Sequence, residues 1–118
     1  MPDWVEATCR LPLVYRTGDK SIRQLFEAAR DQLHDRAAFI AAAAQWLRHH
    51  PELINAWQGY SEDKRRPGPY LELTSLKVGC YDVASGHRDV HVHGDPVDAC
   101  ADFIYREALA VLGTARRR

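Results

Sequence analysis

The stretch HRDVHVH, residues 87–93, sets His87, Asp89, His91 and His93 at every second position, with Arg88, Val90 and Val92 between them. Alternation of this kind fits a β-strand with one polar and one largely apolar face. Upstream, residues 70–82 carry Leu71 and Leu73 in one phase and Leu76, Val78 and Cys80 in the other, a second strand with a bulge or break near Thr74-Ser75. Between the two, Ala84-Ser85-Gly86 has turn composition, so the pair reads as an antiparallel hairpin.

Register decides which faces meet, because a slip of one residue reverses every side chain. A two-residue turn at Ser85-Gly86 sets His91 opposite Cys80 and mixes polar with apolar residues on each face. A three-residue turn with Gly86 left-handed pairs Val78 with Val92, Cys80 with Val90 and Asp82 with Arg88. It leaves Tyr81 against Asp89, Gly79 against His91 and Lys77 against His93 on the other face. The second register keeps the apolar face coherent and is favoured. It also separates Cys80 from His91, which counts against a thiol–imidazole dyad, since an activated thiolate needs its base within hydrogen-bond reach.

On the C-terminal side, Asp95-Pro96-Val97-Asp98 is a strong helix start, and Val97, Cys100, Ile104, Ala108 and Val111 give that helix a core face up to Gly113. Asp102 is explained by an i,i+4 pair with Arg106. On the N-terminal side, apolar residues at the odd positions from Val5 to Leu13 read as a half-buried strand over 4–15, with Pro12 at an edge or bulge. Ser21 and Gln24 have capping-box spacing ahead of a helix with Ile22, Leu25, Phe26, Ala29 and Leu33 on one stripe. Asp35 caps a second helix to about Arg48, and Pro51 opens a short one that passes Trp57 and ends at Gly59. Residues 60–69, rich in charge, Gly and Pro, read as an exposed connection.

Together these readings predict a two-layer α+β domain over 1–118. A sheet of about three antiparallel strands carries helices on one face, in the order β-α-α-(short α)-β-β-α, and residues 114–118 fray. With 46% apolar and 27% charged residues the chain has globular composition, and 16 basic against 16 acidic residues remove the broad electrostatic case for nucleic acid. The three cysteines have no C-x-x-C spacing, which fits reduced thiols in the cytoplasm, and no apolar run is long enough for a membrane span.

The leading functional expectation is a small, non-enzymatic protein-interaction module of immunity, adaptor or regulatory type. Its candidate surfaces are the polar sheet face (Lys77, Tyr81, His87, Asp89, His91, His93) and the region of Trp57, Tyr60, Arg65 and Arg66, whose residue types dominate binding hot spots. The runner-up is a metal-binding protein or metal-assisted hydrolase centred on His91 and His93, with a divalent metal such as zinc. Alternate strand residues lie about 7 Å apart, so these two can share an ion whereas His87 and His91 cannot. No cofactor is otherwise expected, and a homodimer is compatible with an open sheet edge. No phosphate loop, nucleophile elbow or H-E-x-x-H helix occurs to argue for an enzyme.

Overall fold

The computed structural model describes residues 3–64 and 67–113. Its helices and strands are α1 (Asp3–Cys9), α2 (Leu11–Val14), α3 (Ile22–Phe26), α4 (Arg36–Arg48), α5 (Glu52–Asp63), β1 (Gly68–Glu72), β2 (Lys77–Asp82), β3 (Gly86–Val92) and α6 (Pro96–Leu112). The strands form one antiparallel sheet in the order β1-β2-β3. The α+β class and the three-stranded sheet are as expected, but the order of elements is not.

The expected N-terminal strand is a pair of short helices. Val5, Thr8, Cys9 and Pro12 are all buried, a spacing of i, i+3, i+4 and i+7 that belongs to a helix. Odd-position alternation treats Thr8 as outward because of its hydroxyl, yet Thr8 has no exposed surface. Pro12 lies in the first turn of α2, where its missing N–H leaves nothing unpaired.

The third strand comes instead from residues 70–82, which are two strands and not one. The phase change near Thr74-Ser75 is a reversal of the chain: a 3₁₀ turn over Leu73–Ser75 followed by Leu76 in the left-handed region at φ 56°. The helix expected to end at Gly59 runs on to Asp63. A Cβ at Gly59 would meet nothing within 4 Å, so no tight turn is needed there, and burial of Trp57 and Tyr60 on either side outweighs glycine's low helix propensity. The exposed connection shrinks accordingly.

Local capping follows the sequence closely. The Ser21 hydroxyl accepts from Gln24 N at 3.1 Å and Gln24 Oε1 accepts from Ser21 N at 2.8 Å, while Asp35 and Asp95 cap α4 and α6. The helix expected after Ser21 is shorter, passing into a 3₁₀ run over Glu27–Gln32. Helix α6 is the centre of the molecule. Ala99, Cys100, Phe103, Ile104, Tyr105 and Ala108 are all buried, on more than the single face expected, because α3, α4, α5 and the sheet all pack against it. It lies over β1 and β2, meeting the sheet face that carries Leu71 and Val78 and leaving β3 at the margin.

Candidate functional site

The β2–β3 hairpin differs from the favoured register in two steps. The loop is residues 83–85, and Gly86, left-handed at φ +70° as expected, opens β3 opposite Asp82. Tyr81 therefore faces His87 and Cys80 faces Arg88, a shift of two residues that keeps the faces. Asp89 then adopts φ 54° and forms a bulge, after which Val78 faces His91 and Lys77 faces Val92. That single extra residue reverses the faces. An aspartate tolerates the left-handed region better than most residues, and the Arg106 guanidinium donates to the Asp89 carbonyl at 2.7 Å.

The bulge cuts the histidine stripe in two. On the outer sheet face, His87 shares a 3.1 Å hydrogen bond with the Tyr70 hydroxyl, and its ring lies 5.0 Å from that of Tyr81. The place over Gly79 expected for His91 is filled by Tyr70, whose hydroxyl would stand 2.6 Å from a Cβ there. Any larger residue at Gly79 would have to displace the Tyr70 ring. Lys77 reaches Glu72 at 3.6 Å, and Val92 beside it is 63% exposed. The valines therefore do not form the expected apolar inner face.

On the helix side, His91 is exposed and its ring lies 4.5 Å from that of His93. His93 Nε2 donates to Asp102 Oδ2 at 2.8 Å. Asp102 is fully buried and accepts on Oδ1 from Arg36 and from Arg106, each at 3.0 Å. The expected i,i+4 pair with Arg106 is thus one arm of a larger cluster. Burial works to raise the Asp102 pKa, but the hydrogen bonds from His93 and Arg106 and the charges of Arg106 and Arg36 outweigh it, and the carboxyl sits below its ordinary value. The sequence signal for this cluster is the run Asp98, Asp102 and Arg106 at four-residue spacing on one face of α6, read only as a local helix start and an i,i+4 pair.

The metal pair is brought together, but His93 Nε2 is taken by Asp102, and no group of three or more potential ligands converges among the described residues. Trp57 and Tyr60 are not surface residues, in contrast to the expectation. Trp57 is buried with its indole N–H donating to Cys9 O at 2.9 Å, and the Tyr60 hydroxyl donates to buried Glu107 at 2.7 Å. Both lie on the inward stripe of α5. Arg65, Arg66 and the arginines at 116–118 lie outside the described residues.

The two free edges of the sheet are treated differently. Along β1, Ser61 Oγ accepts from Leu71 N at 2.9 Å, Gln58 bonds both Leu71 O and Leu73 N at 2.9 and 2.8 Å, and Lys64 donates to Pro69 O at 2.6 Å. That edge is closed by side chains of α5 and its C-cap. Along β3, the Arg106 bond to Asp89 O is the one backbone contact from outside the sheet among the described residues. His87 to Val92 are all exposed.

No family model, curated protein or solved structure matches the chain. No helix among the described residues is long and apolar enough to cross a membrane.

Proposed function

We propose that this chain is a non-enzymatic protein-interaction module and that its binding element is β3, which accepts an extended segment of a protein partner along its open edge. The observation that carries the reading is the contrast between the edges: β1 is closed by α5, whereas β3 is exposed along its length. An unpaired strand edge is a template for strand addition, in which backbone bonds supply affinity and alternate side chains supply selectivity. Exposed apolar side chains support the same surface. Tyr81, Val83, Val90 and Val92 are exposed on the hairpin, and among the described residues only Leu13 joins them from elsewhere. Lys77, His87, His91 and Asp89 flank the valines and give the surface its polar rim.

The test is site-specific cross-linking in cells producing the chain, with benzoylphenylalanine at Val90 or Val92 and, as a control, at exposed Ala41 on α4. A discrete adduct from the strand positions, absent from the control and lost on Val90→Pro, supports the reading. Equal adducts from Ala41, or none from β3, defeat it, and an adduct of twice the chain's mass assigns the edge to a second copy.

A further inference from the structure

Beneath the hairpin, on the helix side, a cleft of about 470 Å³ opens between α6 and the row Pro69–Cys80–Arg88 that crosses all three strands. Its wall carries three guanidinium groups, Arg36, Arg88 and Arg106, against one carboxylate, Asp89. Counting buried Asp102 beneath them, one positive charge remains in excess, although Arg88 also leans on Asp82 at 3.4 Å. Pro69, Leu109 and Ala110 supply apolar surface alongside. A concave, partly apolar space of this size with a few convergent charged groups is the usual form of a small-ligand site.

The guanidinium groups are held before any ligand arrives. Arg106 is fixed by Nε on Asp102 and by NH1 on the Asp89 carbonyl. Arg36 is fixed by NH2 on the same Asp102 oxygen, with its guanidinium carbon 5.5 Å from the centre of the Tyr105 ring. Each guanidinium has five N–H donors, so these bonds orient the group without exhausting it. Arg88 is looser: its ion pairs with Asp82 and Asp89 span 3.4 and 3.3 Å, and its side chain is half exposed. Such an arrangement suits carboxylate or phosphate oxygens, which guanidinium forks bind through paired hydrogen bonds, and prior orientation lowers the entropic cost of binding.

We infer that this cleft binds a small anion bearing carboxylate or phosphate groups, with Arg36 and Arg106 as the rigid pair and Arg88 closing over the ligand. The inference does not depend on the β3 edge being a docking site.

Citrate and pyrophosphate are the probes, titrated calorimetrically into the full chain at low ionic strength. Saturable one-to-one binding of either supports the inference, and which of them binds more tightly separates carboxylate from phosphate recognition. Arg88→Gln and Arg36→Gln should each weaken binding roughly tenfold, the loss of one charge-assisted hydrogen bond, whereas Arg10→Gln, between α1 and α2 and outside the cleft lining, should not. Cys80 provides a second reading, because it lines the cleft while Cys9 and Cys100 are buried. Bound anion should slow iodoacetamide alkylation of Cys80 in the parent chain and leave the rate unchanged in Arg88→Gln at the same probe concentration. Failure of both probes to saturate, equal affinity in the Arg88 and Arg36 variants, or binding without protection of Cys80 overturns it.

Discussion

The two edges of this sheet have similar backbones and opposite fates. β1 is sealed by Gln58, Ser61 and Lys64, which turn the flank of α5 into a second partner for its backbone. Beyond its ladder with β2 and the His87–Tyr70 bond, β3 is tied to α6 at Asp89 O, which accepts from Arg106, and just past its end at His93, which bonds Asp102. Both tethers lead to the same buried carboxylate, since Arg106 is itself held by Asp102. A charged residue inside α6 thus serves the fold, whereas the apolar residues Val90 and Val92 of β3 are held out to solvent.

Removing the common anchor gives the largest effect. Asp102→Ala leaves Arg106 and His93 without their carboxylate in a part-buried site, and is expected to cost about 3 kcal/mol in urea unfolding, with β3 amides losing protection before those of β1. A loss below about 1 kcal/mol would mean that the cluster does not hold the hairpin.

Acid probes the same carboxyl. Its pKa is lowered in the folded chain, so its contribution is fully present above the ordinary aspartate range and is lost as pH falls through the lower folded value. Thermal unfolding from neutral pH downward should show the parent losing stability in that acid range, and Asp102→Asn should lack that part of the loss. Identical profiles would mean that the Asp102 carboxyl does not set the acid sensitivity of the fold. At the other extreme, burial pushes the Cys9 thiol up to about 12, so near neutrality the group is protonated both folded and unfolded and adds no pH dependence to stability. The neutral buried thiol contributes in full below the ordinary thiol pKa, and its share of stability is lost as pH rises from that value to about 12.

On the closed edge, Gln58→Ala removes two backbone partners of β1 and should cost about 2 kcal/mol, with faster exchange at Leu73 N. On the open edge, Asp89→Val forces a β-branched residue into the left-handed region and should cost about 1–2 kcal/mol, whereas Asp89→Gly should stay within about 0.5 kcal/mol. Cross-strand proton contacts would then show whether the valine variant straightens β3 and returns His91 to the outer face. Smallest of all, Val92→Lys should change stability by less than about 0.5 kcal/mol while abolishing β3 cross-links, because Val92 is exposed.

What was legible in the sequence was mostly local. Ser21, Asp35, Asp95 and Gly113 mark helix ends through backbone hydrogen bonds made within a few residues, and all four act as their types suggest. The histidine alternation located β3, and Gly86 its left-handed turn residue. Three things were not legible for physical reasons. Thr8 is buried whole, its hydroxyl oxygen included, so a polar label misassigned the period of α1. The reversal at Leu76 and the bulge at Asp89 place non-glycine residues at positive φ, a cost of order 1 kcal/mol that tertiary contacts offset and that composition does not display. The convergence of Arg36, Arg88 and Arg106 joins α4, β3 and α6, and depends on packing angles that no single segment encodes.

Native-state hydrogen exchange resolved by residue tests the contrast between the edges most directly. The amides of Leu71 and Leu73 should exchange only on global or near-global opening, while the amides of β3 not paired to β2 should exchange with little protection. Protection of those β3 amides equal to that of Leu71 and Leu73 would contradict it, since the edge would then be closed in the isolated chain.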